Sequence, residues 1–290
     1  MHARTLQKLS KHIRVAASSD TPGTYRGVLS AVTSTGKVSI PVVVYVTAAA
    51  DAPPVISSVT STASNVSGPL APGELITIRG LGVGPERTTL TLDSDGKVTT
   101  DIHSDTRVLI NGNRAPIVYA SPEQWNVIVP YEVDGLASAT LQVISGGVES
   151  KTWTLPVAPA APAVFTIGST GIGRGAVLNQ DNTVNSPTNP APRGTVFQIF
   201  ATGLGQNVPA SATGTVTSLS GDGHARLPVK VFIGGAEAPV VFAGPAPGFV
   251  SGVAQINAVI PSPLFGATAV QVILEVNGVM SQPGVAVTLQ

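Results

Sequence analysis

Asp93, Asp95, Asp101, His103 and Asp105 crowd into one short stretch of the chain, and carboxylates at that density are what a hard cation would need. A Ca²⁺ ion takes about six to eight oxygen ligands. Asp93-Ser94-Asp95-Gly96 has the opening of a calcium loop. No third alternate ligand and no closing glutamate follow at the spacing an EF-hand uses, and Asp-Gly is equally a hairpin turn, so the solvated turn is the favoured reading. Asn179-Gln180-Asp181-Asn182, with Asn185, poses the same alternative further along and is read the same way.

Other constellations fall short of a reaction. Gly80-Leu81-Gly82-Val83-Gly84 follows a strand and resembles a phosphate-cradling loop, but Pro85-Glu86-Arg87 opens no helix and no Gly-Lys-Ser/Thr follows, so a tight turn is expected. Gly171-Ile172-Gly173-Arg174-Gly175 reads as a flexible connection ahead of a strand. Histidines stand at 2, 12, 103 and 224, never at metal-ligand spacing. No Gly-x-Ser-x-Gly elbow occurs, and a glycosidase pair would have to come from the glutamates at 74, 86, 123, 132, 149, 237 and 275, most of which fall in turns. The chain is therefore read as non-catalytic and without cofactors. Phe249 and Tyr131 are the ligand or partner candidates, because an exposed ring is what covers the apolar face of a sugar.

The elements that must position these residues follow from composition and pattern. The 290 residues carry 16 Lys plus Arg against 16 Asp plus Glu, only 11% charged, with 31 Gly, 24 Pro and no Cys. Turn-rich β structure fits that balance, and zero net charge without basic clusters past Arg14 argues against nucleic acid, whose binding rests on Lys and Arg. The most apolar run, 40–50, is too short to span a membrane as a helix and is β-branched, so membrane insertion is not expected. No apolar signal segment follows the basic residues Arg4, Lys8, Lys11 and Arg14. Leu6, Leu9 and Ile13 have helical spacing for one or two turns. Residues 25–32 and 37–46, joined at Ser34-Thr35-Gly36, read as a hairpin, which alone is marginal in water.

Beyond residue 51 the sequence repeats itself. Val108-Leu109-Ile110-Asn111-Gly112 aligns on Val231-Phe232-Ile233-Gly234-Gly235, and Ala115-Pro116-Ile117-Val118-Tyr119-Ala120 on Ala238-Pro239-Val240-Val241-Phe242-Ala243. Gln124-Trp125-Asn126 then matches Gln255-Ile256-Asn257, with an insertion at 246–253 in the second copy. Gly73 to Ile78 pairs with Gly194 to Ile199, and Gly147-Val148-Glu149-Ser150 with Gly278-Val279-Met280-Ser281. Each copy reads as short strands between Gly, Pro and Asn turns. Alternation puts Trp125, Val127 and Val129 on the inner face and Gln124, Asn126 and Ile128 on the outer one. Residues 156–162 (PVAPAAP) read as a stiff linker between the copies.

Gly73-Glu74-Leu75-Ile76-Thr77-Ile78-Arg79-Gly80-Leu81-Gly82, followed by 108–115 and 124–130, resembles the TIG or IPT type of Ig-like domain. Over 155–290, the blocks Pro162-Ala163-Val164-Phe165-Thr166, Gly175-Ala176-Val177-Leu178-Asn179-Gln180-Asp181, Asn189-Pro190-Ala191, Thr202-Gly203-Leu204-Gly205 and Ala246-Pro247-Gly248 resemble an uncharacterised C-terminal module of large secreted acidobacterial proteins. Pro22-Gly23-Thr24-Tyr25 with 40–46 resembles the end of a BACON-type domain. The expected fold class is all-β: an N-terminal hairpin fragment over 1–50 and tandem Ig-like β-sandwiches over 51–158 and 159–290. The resemblance implies an extracellular or cell-surface setting, neighbouring domains of a longer parent chain, and a fragment or truncated reading frame. The expected function is a structural, adhesive or spacer module with a protein or glycan partner; the alternative is a carbohydrate- or cell-wall-binding accessory module of a secreted enzyme.

Overall fold

A computed structural model describes residues 23–33, 36–46, 52–85, 87–221, 223–262 and 268–290. The chain is all-β, and among the described residues its helical content is a single 3-10 turn, Tyr131–Val133. No helix there is long and apolar enough to cross a membrane. Met1–Ala50 forms one compact unit and Asp51–Gln290 another. In the first, Gly23–Thr33 pairs antiparallel with Gly36–Val46, from Thr33 opposite Gly36 to Gly23 opposite Val46. The helical spacing at Leu6, Leu9 and Ile13, and Ser34 and Thr35 of the expected turn, lie outside the described residues.

In the second unit, the first sandwich packs two antiparallel sheets face to face. One orders Val55–Ser61, Leu75–Leu81, Gln124–Ile128, Ile117–Ser121 and Thr88–Thr89; the other is built on Ser138–Ser145 and Thr106–Ile110. Alternation in Gln124–Ile128 drives Trp125 and Val127 into a core with Ile78, Val108, Ile110, Leu141 and Val143. The indole N–H of Trp125 donates to the Val83 carbonyl, which satisfies its one polar atom. Ile128 departs from the expected outward position: it is buried, because Gly252 of the second sandwich lies against it and Leu75.

The second sandwich has its own core, centred on Phe197, Ile199, Val231, Ile233, Ile256, Val272 and Leu274. Val196–Thr202 and Ala254–Val259 are the central strands of one sheet, and Ala269–Val276 lies between Val229–Ile233 and Val285–Thr288 in the other. Residues 171–175 are not a loose connection: Gly173–Arg174 pairs parallel with Val285–Thr288, which fixes the segment to a sheet edge. The two copies share irregularities as well as strands. Register slips at Val118, opposite the step from Asn126 to Val127, and again at Val241, opposite the step from Asn257 to Ala258. The hydroxyls of Ser150 and Ser281 each accept the N–H of the adjoining strand, from Val143 and Leu274, at 3.0 Å.

The segment 156–162 is built into the structure at both ends. Leu70 N–H donates to Pro156 O and Ala158 N–H to Leu70 O, while Ala160 is buried in the second core and Ala161 N–H donates to Gly203 O. Backbone bonding, more than proline stiffness, holds the junction.

Candidate functional site

The two sandwiches meet through polar groups that each would otherwise leave unsatisfied. Thr202, on the second sandwich, accepts the Leu75 N–H at 2.9 Å and donates to Gly252 O at 2.8 Å. Loop residues between Asn207–Val208 and Val229–Ile233 reach back over the first sandwich. Thr213 Oγ1 accepts the Tyr131 N–H at 2.9 Å and donates to Glu132 Oε2 at 2.6 Å, and Val98 N–H donates to Gly214 O. Arg226 grips Asp134 with two bonds of 2.7 Å. Tyr131 is the centre of this contact: its hydroxyl takes hydrogen bonds from Ser251 at 3.2 Å and Asn207 at 3.5 Å, and burial pushes its pKa up.

A cleft of about 360 Å³ opens at the same junction. Val59, Leu70, Ile76 and Pro69 of the first sandwich and Pro162, Val279, Met280 and Pro283 of the second give it apolar walls. Glu74 also lines it and is, among the described residues, the only ionisable one that does. The local sequence explains its position. Ala71-Pro72-Gly73-Glu74 is a tight turn with proline second and a positive φ of 73° at Gly73, closed by Glu74 N–H donating to Ala71 O at 3.0 Å. The Glu74 carboxylate folds back over the turn and accepts the Ala71 N–H at 3.1 Å. Its side chain is thereby pinned where water hardly reaches it, with the residue 3% exposed.

Burial raises the Glu74 pKa from 4.5 to about 8, against the opposing pull of the Ala71 N–H and, more weakly, of the Ser61 hydroxyl. The group is thus a neutral acid at pH 7. Ser61 lines the cleft beside it, 8% exposed, and its Oγ makes no formed hydrogen bond. A buried acid and a hydroxyl that leans on it without a fully formed bond share an apolar cleft.

The residues singled out by sequence are placed elsewhere. The four aspartates do not converge. Asp93 caps its own turn through the N–H groups of Asp95 and Lys97, both at 2.9 Å. Asp101 pairs with Arg114 at 2.7 Å and Arg107 at 3.4 Å, and Asp105 accepts from Thr106 Oγ1 at 3.0 Å. Among the described residues no group of three or more His, Asp or Glu side chains is placed to hold a metal ion. Asp181 binds Thr183 twice, which lowers its pKa, and buried Asn185 ties Asn179 to Thr288. The turn at 80–84 buries Val83 and covers Trp125.

Tyr131 is no exposed platform: it is 5% exposed, because the second sandwich closes over it. Phe249 is 49% exposed, tilted against Phe200 with ring centroids 5.6 Å apart. Sequence reading passed over Glu74 and Ser61. The signal available was an acid set inside the apolar run Leu70-Ala71-Pro72-Gly73-Glu74-Leu75-Ile76, where the aligned position of the second copy holds Thr195. No family model matches the chain, and no curated protein matches it.

Proposed function

We propose that the chain is a non-catalytic structural module, two Ig-like sandwiches locked into one stiff body, that serves as a spacer or adhesive segment at the C-terminal end of a secreted or surface protein. The observation that carries this reading is the junction. A segment that transmits position or force must resist bending between its domains, and here both sandwiches share buried hydrogen bonds through Thr202 and Tyr131 and a part-buried one through Thr213. Each link satisfies a polar group that bending would strip in a place water cannot easily reach. The low charge and the turn-rich surface add no reactive set to this picture.

Single-molecule pulling on residues 52–290, with a parallel screen of the full chain for hydrolase and lyase turnover, tests the proposal. The two sandwiches are expected to unfold under force only after the junction has yielded in the same event, with no turnover. Robust turnover, or free pivoting between the sandwiches at negligible force, overturns it.

A second reading, a carbohydrate- or cell-wall-binding accessory module, is favoured by the exposed Phe249 ring beside Phe200. A glycan array probed with the full chain and with Phe249→Ala decides it: binding lost in the variant supports the module, and a blank array excludes the glycans displayed.

A further inference from the structure

We propose that the cleft lined by Glu74, Ser61, Leu70, Ile76, Val279 and Met280 binds a primary alkylammonium group, carried by a free amine or by a lysyl side chain. The argument starts from what Glu74 does and what it need not be. Closing the Ala71–Glu74 turn takes one acceptor on the Ala71 N–H, and a glutamine would supply it without the cost of burying an ionisable group. The fold itself does not ask for an acid there. In the second copy the corresponding turn carries Thr195, whose hydroxyl bonds the Pro192 carbonyl at 2.6 Å. The acid stands in the first copy alone, and it faces the cleft at the junction of the two copies.

The surroundings select the ligand. Among the described residues no lysine, arginine or histidine lines the cleft, so none of them gives Glu74 a counter-charge within it. The buried Ser61 hydroxyl leans toward the Glu74 carboxyl without a fully formed bond, and its lone pairs are left to accept from a ligand. An ammonium group offers three donors on a compact charge, enough for the Glu74 carboxylate and Ser61 together. The apolar walls match a methylene stem, and the volume, about 360 Å³, lies at the small end of ligand cavities. Val66, 59% exposed, and Met280, 57% exposed, form an apolar rim at the mouth. A carboxylate ligand would meet an acid, and an apolar chain without a head group would give the Ser61 lone pairs no donor.

Binding is coupled to a proton. Glu74 enters as the neutral acid, releases its proton to solvent, and pairs as the carboxylate with the incoming cation. With a pKa of about 8, roughly nine-tenths of a proton leaves per ligand at pH 7, and about a tenth at pH 9.

Titration calorimetry of the full chain with n-hexylammonium, 1-hexanol and N-acetyl-lysine methylamide, in two buffers of different ionisation heat, tests the inference. Hexylammonium is expected to bind at least ten-fold tighter than hexanol, with proton release that falls from pH 7 to pH 9. Glu74→Gln keeps the turn acceptor, so it is expected to fold, bind hexanol unchanged and lose the ten-fold preference; Ser61→Ala loses part of it. Binding of the lysine amide equal to that of hexylammonium assigns the site to a peptide side chain, and binding of hexylammonium alone assigns it to a free amine. Equal affinity for hexanol, a preference that survives Glu74→Gln, or no binding of either probe overturns the proposal. None of these outcomes bears on the spacer reading, which stands on force and turnover.

Discussion

Thr202 of the second sandwich accepts the backbone N–H of Leu75 from the first, 2.9 Å away, and donates its hydroxyl hydrogen to the Gly252 carbonyl at 2.8 Å. One hydroxyl therefore satisfies a donor on one sandwich and an acceptor on the other, at a site with 0% exposure. Thr202→Val keeps the shape and removes both bonds. Stability to urea is expected to fall by about 1 to 3 kcal/mol, the cost of stranding buried polar backbone, whereas Thr202→Ser holds close to the parent value. Equal midpoints for the valine variant and the parent would show that Leu75 finds another partner.

Gly73 and Tyr131 define the second prediction. Gly73 has a φ of 73°, and a side chain there would run into the Tyr131 ring. Gly112 has a φ of 78° with open space around it, so Gly112→Ala isolates the backbone penalty, about 1 kcal/mol. Gly73→Ala is expected to lose about 1 to 3 kcal/mol more, because the ring must shift within a packed junction. Thermal melts of the two variants side by side measure the difference; matching values would mean that Tyr131 moves freely.

Arg226 and Asp134 invite the opposite expectation. The pair has two short bonds, yet the side chains remain 41% and 27% exposed, so water screens much of the attraction. A double-mutant cycle with Arg226→Ala and Asp134→Ala is expected to return a coupling of about 0.2 to 1 kcal/mol, reduced further near 1 M salt. The salt bridge orients the 226 segment; the buried hydroxyl of Thr202 carries more of the stability.

How much of this was readable beforehand differs by kind of feature. Both copies place a bulge opposite the same strand and a serine on the same N–H; the sequence alignment matched the residues, Val118 with Val241 and Ser150 with Ser281, but not the bulge or the bond they make. The strand alternation was legible, since period-two burial follows from the pleat. The junction was not. Its bonds join residues far apart in sequence, such as Tyr131 with Ser251, and the alternating threonines of 213–217 do not say which surface they meet. Tyr131 looked like a ring free for a ligand because sequence cannot say which neighbour covers it. Ile128 carried the one clue, an isoleucine where the pattern wanted a solvent-facing residue. Glu74 escaped for a related reason: a buried acid and an exposed one are the same letter, and only the turn at Ala71–Glu74 reveals which it is.

That same acid yields a pH dependence with a definite sign. The folded chain holds the Glu74 proton up to about pH 8, while the unfolded chain releases it near 4.5. Between those values the folded state binds more protons than the unfolded one, so stability from this group is complete at low pH and is lost as pH rises through the window. Glu74→Gln removes the penalty of charging a buried group and retains the acceptor for Ala71. The variant is expected to match the parent near pH 4 and to exceed it above pH 8, by an amount on the order of a few kcal/mol. Urea midpoints at pH 4, 6, 7 and 9 trace the divergence. A constant offset between variant and parent across that range would mean that Glu74 titrates as an ordinary surface acid, and that the turn does not bury it.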